Sequence, residues 1–146
     1  MKQIHLVVGV LTILLSGAAA VYGGWCWWKV SGSPWFWRVL RASQAAVVVQ
    51  AALGGVLVLM GHKPPGLHVL YGVLPLFVSF VAEQLRISTA QMVLDKGGFE
   101  SAQEVGALPD ADQRALVRTI MRREIGVMAL AALVNTALLA RAAMTH

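Results

Sequence analysis

Long, uninterrupted runs of apolar residues dominate the chain and alternate with short polar segments. Four such runs occupy about residues 4–28, 35–61, 65–86 and 123–144. A helix needs roughly 20 residues to cross the hydrocarbon of a bilayer, because each residue adds about 1.5 Å. The runs are apolar on nearly every face and lack the alternation of membrane barrel strands. The pattern therefore predicts an all-α bundle of four transmembrane helices, which we number spans 1 to 4.

The start of span 1 also imitates a cleavable signal peptide. Lys2 precedes an apolar stretch, and the small residues 18–20 follow it. The apolar run nevertheless continues beyond these residues to a Trp-rich segment that begins at Trp25. We therefore interpret it as an uncleaved first span.

Small or polar residues recur at every fourth position in the first two spans. Such stripes allow a neighbouring helix to approach closely. We therefore expect both stripes to face the interior of the bundle. They comprise Thr12, Ser16, Ala20 and Gly24 in span 1, and Ala42, Ala46, Gln50 and Gly54 in span 2.

Helical patterning in the second half of the chain extends beyond the membrane edge. Span 3 continues to Lys96, and the last helix begins near Asp110, which we expect to be its N-cap. Between them, Ser101 and Glu104 form the capping-box pattern of a short helix. The sequence thus predicts that segment 87–122 forms a charged helical hairpin outside the membrane.

All seven acidic residues lie between Glu83 and Glu124, where six cations accompany them. A balanced mixture of this kind is usually a solvated face with modest ion pairs. The more specific interpretation is a surface that docks a partner protein. At the membrane edge, we expect Glu83 and Arg86 of span 3 to form structural ion pairs with Arg123 and Glu124 of span 4.

The distribution of cations predicts the orientation of the chain. Nine Lys and Arg residues flank the first and third connections, and three flank the opposite side. The positive-inside rule then places both termini outside and the hairpin in the cytoplasm.

The net charge of +5 is a membrane signal rather than a nucleic-acid one, because the cations cluster beside the spans. The Arg, Ala, Val and Gly bias suggests a bacterial plasma membrane protein from a high-GC genome.

Histidines provide the main candidates for chemistry. His5, His62, His68 and His146 are all predicted on the side away from the charged segment, and only His68 lies clearly within a span. An ionisable residue inside the membrane is a candidate functional residue, and imidazole is a ligand of haem iron, copper and zinc. The alternative is a structural imidazole that bonds to water, a lipid headgroup or a backbone carbonyl.

Other metal chemistry has less support. The single Cys26 excludes an internal disulfide and a Cys-based zinc site. Met60 beside His62, and Met144 beside His146, carry the thioether and imidazole ligands of copper(I). Both pairs lie at the ends of spans, and chain ends rarely build closed sites. We therefore predict no dedicated metal-ion site.

Spans 2 and 3 resemble part of a known family. Their residues are similar to the Gln, Leu-Gly, Gly and His pattern of the haem A synthase family at Gln50, Leu53, Gly54, Gly61 and His68. The resemblance implies a b-type haem with His68 as axial ligand and Gln50 as a packing or pocket residue. Gln50 and Gly54 would leave room for the macrocycle. His5 is the candidate for the opposite ligand, because span 1 begins on the same side. The whole chain is also similar to four-span membrane proteins of high-GC bacteria, which implies no activity.

Three classes of function follow from these features. The first is a non-catalytic accessory or scaffold protein that docks a partner, or a second copy of itself, through segment 87–122. The second is a b-type haem or other redox protein centred on His68. The third is a small transporter or a lipid-binding protein. We predict no catalytic residues, because the chain has no Ser-His-Asp set, metalloprotease motif or phosphate loop.

Overall fold

A computed structural model describes residues 1–145 and shows them to be helical, with no strand. Four helices are long and apolar enough to cross a membrane, which confirms the prediction of an all-α protein with four candidate spans. The helices are α1 (Lys2–Lys29), α2 (Pro34–Leu59), α3 (Gly66–Lys96), α4 (Ala102–Gly106) and α5 (Asp110–Ala143).

Local sequence signals determine where the long helices begin and end. After α1, Val30 adopts the left-handed conformation with φ 51°, and the next backbone N–H bonds back to the last turn. Pro34 starts α2, where its fixed φ suits the first helical position. Gly61 follows α2 with φ 87°, a conformation that a residue with a side chain adopts only with strain. Pro65 immediately precedes α3.

The start of α5 differs from the expectation. Asp110 is the first helical residue and Pro109 is the N-cap. The side chain of Gln113 instead donates to a backbone carbonyl of α4 at 3.1 Å, which ties the two helices together. The Ser101 half of the expected capping box of α4 is present, because its hydroxyl accepts a bond from the backbone N–H of Glu104 at 3.4 Å. The Glu104 carboxylate accepts from the backbone N–H of Glu100 at 2.9 Å, and not from that of Ser101.

Two helices are longer than a membrane crossing requires. α3 continues without a break for 31 residues and α5 for 34 residues. At about 1.5 Å per residue, each exceeds the roughly 30 Å hydrocarbon thickness by 15 Å or more. The excess lies at the C-terminal end of α3 and the N-terminal end of α5, on either side of α4.

The long helices form a bundle with one loose seam. α1 packs against α2 and α5, and α3 packs against α5. α2 and α3 make far fewer contacts with each other. The buried core lies mainly in the half of the bundle near the end of α1, and it includes Ala19, Phe36, Leu40, Ile125 and Met128.

The buried face of α1 repeats in steps of four and three, which corrects the predicted stripe. Gly24 has no neighbour within 4 Å of its Cβ position, and Ala20 is only half-buried. Steps of four drift around the helix, whereas alternating steps of four and three keep a seam against its neighbour. The buried residues are Thr12, Ser16, Ala19, Gly23 and Cys26.

The predicted stripe of α2 needs the same correction. Ala42 is exposed and Ala46 is half-buried. The buried residues are Phe36, Leu40, Ser43, Val47 and Leu57. Gln50 and Gly54 continue these steps of four and three, and both are half-buried. Gln50 and Gly54 therefore lie on the interior seam, as expected, but they do so as part of a repeat in steps of four and three rather than in steps of four.

α1 and α2 pack antiparallel in a constant register. At one end the backbone of Gly23 lies against Phe36, and near the middle Ser16 and Ser43 share a hydrogen bond of 2.9 Å. Because the register is constant, it carries the first turns of α1 to the last turns of α2. This brings the N-terminal histidine to span 2.

Candidate functional site

A polar cluster lies at the end of the bundle where α1 and α3 begin. It consists of His5 from α1, Gln50 from α2 and His68 from α3. The ring centroids of the two histidines are 6.1 Å apart, and their planes are inclined by 55°. The amide nitrogen of Gln50 lies 3.2 Å from Nε2 of His5. The structure thus brings together the three residues singled out for the haem hypothesis.

Two glycines position His5 and Gln50 by reciprocal contacts. A Cβ on Gly9 of α1 would lie 2.8 Å from the Gln50 amide nitrogen, and a Cβ on Gly54 of α2 would lie 3.3 Å from Cε1 of His5. Each polar side chain therefore lies over a glycine of the opposite helix. The space beside Gly54, which we expected to be free for a macrocycle, is occupied by the His5 ring.

The orientation of His68 is determined by a backbone carbonyl of α5. Its Nδ1 lies 2.9 Å from the carbonyl oxygen of Ala142. A carbonyl only accepts hydrogen bonds, so Nδ1 carries the proton, and in the neutral ring Nε2 keeps a free lone pair. Histidines that bind metals through Nε2 commonly have this second bond, which fixes the tautomer and the ring orientation. His68 is therefore in the form that can act as a ligand.

The cluster contains polar atoms without a partner. Nδ1 of His5 and Oε1 of Gln50 are buried, and neither has a hydrogen-bond partner within residues 1–145. A buried polar atom left unsatisfied costs about 1–3 kcal/mol. The cluster thus has the capacity to interact with a further polar group or a metal.

The separation of the two rings suits a shared metal. Bonds of about 2.0 Å from each imidazole would place the two donor nitrogens about 4 Å apart, with the ring centres further out, and a centroid separation of 6.1 Å allows this. His5 and His68 could therefore hold a haem iron, and Gln50 would then have to release Nε2 of His5.

His62 is not part of this cluster. His62 lies in the connection between α2 and α3, where its backbone N–H bonds to the end of α2. His146 lies outside the described residues, and so does the test of the copper(I) pair that it would form with Met144. Within the part of the chain that the structure describes, no three His, Cys, Asp or Glu residues are grouped so that they could hold a metal ion.

Polar residues in the middle of the bundle bond to one another between helices. Ser16 pairs with Ser43, and the amide of Asn135 donates to the hydroxyl of Ser79 at 2.9 Å. Along α1, Ser16 is separated from His5 by about 16 Å of helix. These bonds fasten pairs of helices, and they do not form a continuous path from the histidine cluster to the charged end.

An ion-pair network connects the helices at the opposite end of the bundle. Glu83 of α3 accepts from the guanidinium of Arg41 on α2 and from the Gln44 amide at 3.0 Å. Glu83 also accepts from Nε of Arg86 at 3.2 Å, and Arg86 reaches Glu124 of α5 at 3.9 Å. Three long helices are therefore connected at this edge.

One expected member of this network is replaced. Arg123 forms no ion pair within residues 1–145, and Arg41 takes its place beside Glu83. Successive helical residues point about 100° apart. Because Glu124 faces α3, its neighbour Arg123 must face elsewhere. Arg41 could have been suspected from the sequence, since it lies with Gln44 on one face of span 2 at the same membrane edge.

Comparison with known proteins yields no matching family model, no similar curated protein and no similar solved structure.

Proposed function

We propose that this protein binds a b-type haem between His5 and His68 at one face of the membrane. The observation that supports the proposal is the pair of imidazoles from different helices, with ring centroids 6.1 Å apart. Sequence patterning favours a scaffold without a cofactor, but it does not reveal that the two rings lie close together. Haem with histidines on both sides supplies one-electron transfer.

The protein's own residues have distinct roles in this proposal. The Ala142 carbonyl holds His68 with Nε2 free, and Gly54 holds the His5 ring close to α2. Gln50 competes with the metal for Nε2 of His5. For His5 to hold the iron through Nε2, its hydrogen bond with the Gln50 amide would have to be released.

A visible spectrum tests the proposal directly. The protein is expressed with ample haem, purified in detergent and examined for a Soret band, which we expect. His68→Ala and His5→Ala should each abolish or shift the band, because an axial ligand is lost. His62→Ala is the matched control and should leave the spectrum unchanged. Circular dichroism should show equal helix content in all four proteins.

Two results would end the haem proposal. The first is a colourless wild-type protein despite added haem. The second is a spectrum that His68→Ala leaves unaltered while the variant remains folded. In either case the role of the histidines would be structural, as polar contacts between helices.

A second function is supported by the arrangement of charge beyond the spans. Residues 95–112, around α4, carry five acids and one Lys, whereas residues 113–123 carry four Arg and no acid. The hairpin therefore has an acidic tip and a basic stem. Placed in the cytoplasm, with both termini outside, the tip would dock the basic surface of a partner protein, as expected of an accessory or scaffold subunit.

Crosslinking in cells tests the docking surface. A photoreactive residue at Glu104 should produce a defined adduct with a second chain, whereas the same residue at Lys63, at the other end of the bundle, should not. Reversal of nearby acids, as in Glu100→Lys with Asp112→Lys, should remove the adduct because the basic partner is repelled. An adduct that survives charge reversal, or none at all, argues against an electrostatic docking tip.

A further inference from the structure

A groove follows the outer face of α5 at the charged end of the bundle. It has a volume of about 560 Å³, which lies within the range of ligand sites. α1 and α3 form its walls, and the residues that matter are Trp27, Thr89, Arg122, Arg123, Val127 and Leu130. Neither the histidine cluster nor the acidic tip contributes to it.

The rim of the groove carries two uncompensated positive charges. Arg122 and Arg123 are both exposed, and neither forms an ion pair within the described residues 1–145. The carboxylate nearest in sequence, Glu124, is directed toward Arg86 at 3.9 Å. No acidic residue occurs between residues 113 and 123. The rim is therefore suited to an anion.

The floor of the groove is apolar and follows the helix into the membrane span. Val127 and Leu130 line it, and Leu130 is 51% exposed. Val134, one turn further along α5, is 46% exposed and continues the apolar surface. A ligand that fills the groove must therefore have an anionic head and a hydrocarbon tail.

An aromatic wall gives the groove its shape. A Cβ on Gly126 would lie 2.9 Å from Nε1 of Trp27, so the glycine allows the indole to lie directly against α5. Indole rings favour the level of lipid headgroups, where one part of the ring is apolar and the other is hydrated. The wall thus coincides with the depth at which the charged rim changes to the apolar floor.

We propose that this groove binds one anionic phospholipid. The phosphate lies between Arg122 and Arg123, because guanidinium groups offer paired donors that match phosphate oxygens. One acyl chain lies over Val127 and Leu130. The assignment is independent of haem and of the docking tip, since it uses none of their residues.

Lipid titration of the purified protein tests the assignment. Phosphatidylglycerol is added to the detergent-solubilised protein, and the bound fraction is measured by native mass spectrometry, with phosphatidylcholine of the same chains as comparison. Each Arg near a lipid headgroup contributes about 1 kcal/mol, or roughly a five-fold change in affinity. Arg122→Gln with Arg123→Gln should therefore weaken phosphatidylglycerol binding about 25-fold, and Lys at both positions should restore much of it.

The matched control removes the same number of positive charges at positions outside the groove. Arg114→Gln with Arg118→Gln should alter binding by less than about two-fold, because these residues line a separate surface depression. Equal losses in the two double variants would show general charge attraction and overturn the site. So would equal binding of phosphatidylcholine. Glycerol phosphate that competes as well as the lipid would assign the rim to a free phosphate ligand instead.

Discussion

Gly23→Ala should destabilise the bundle, whereas Gly24→Ala at the next position should not. A Cβ on Gly23 would lie 2.5 Å from Cε2 of Phe36 and 2.9 Å from Cβ of Ala129. Carbon atoms in contact prefer about 3.5–4.0 Å, so the overlap with the ring is about 1 Å. The Phe36 side chain is fully buried and cannot simply turn away.

The expected magnitude follows from the rigidity of these neighbours. Inserting a methyl group into a packed core typically costs about 1–3 kcal/mol. For a chain of this size, that corresponds to a decrease in Tm of about 2–12 °C. At Gly24 the new methyl group meets nothing within 4 Å. Ala is favoured over Gly within helices by up to about 1 kcal/mol, so Gly24→Ala should be neutral or stabilising.

The assay is thermal unfolding in one detergent, followed by circular dichroism, with wild type and both variants measured side by side. The two substitutions are chemically identical and adjacent, so general effects of detergent or expression cancel. If Gly24→Ala were as destabilising as Gly23→Ala, the seam would repeat in steps of four. The register argued for α1 and α2 would then be wrong.

Three further predictions concern the charged edge, the orientation and the middle of the bundle. Glu83→Arg should lower Tm, and adding Arg41→Glu should recover part of it, with a coupling of about 1 kcal/mol because the pair is partly exposed; no recovery would contradict the pair. In a Cys-free background, Lys63→Cys should react with an impermeant maleimide on intact cells, and Gly98→Cys only after permeabilisation; the opposite result reverses the topology. Asn135→Leu should change unfolding free energy by less than about 1 kcal/mol, because interhelical bonds in membranes average about 0.6 kcal/mol; a larger loss would show a stronger role for the amide.

The spans were predictable because hydrocarbon imposes a simple requirement. Backbone polar groups must bond within the segment, and the apolar run must be long enough to cross. The predicted spans accordingly coincide with α1, α2 and the membrane-length parts of α3 and α5. Pro34 at the start of α2 and Gly61 after its end act through equally local backbone preferences.

The faces of the helices that point into the bundle were harder to predict, because each helix carries apolar residues on nearly all of its faces. In a water-soluble bundle, polar residues mark the outside, but here lipid and core select similar side chains. The stripe of small residues every four positions therefore competed with the true seam, which includes Gly23 rather than Gly24. Only the packed helices show which glycine lacks space for a methyl group.

The candidate site also has features that the sequence predicted and features that depend on helix packing. The order of the spans was sufficient to predict that His5 and His68 lie toward the same end of the bundle, because the first and third spans begin there. Helix packing brings the centroids of the two imidazoles to 6.1 Å and pairs Arg41 with Glu83. Depth in a membrane is set by hydrophobicity and length, which are properties of each segment. Rotation and register depend on contacts between segments, and those exist only once the helices are packed.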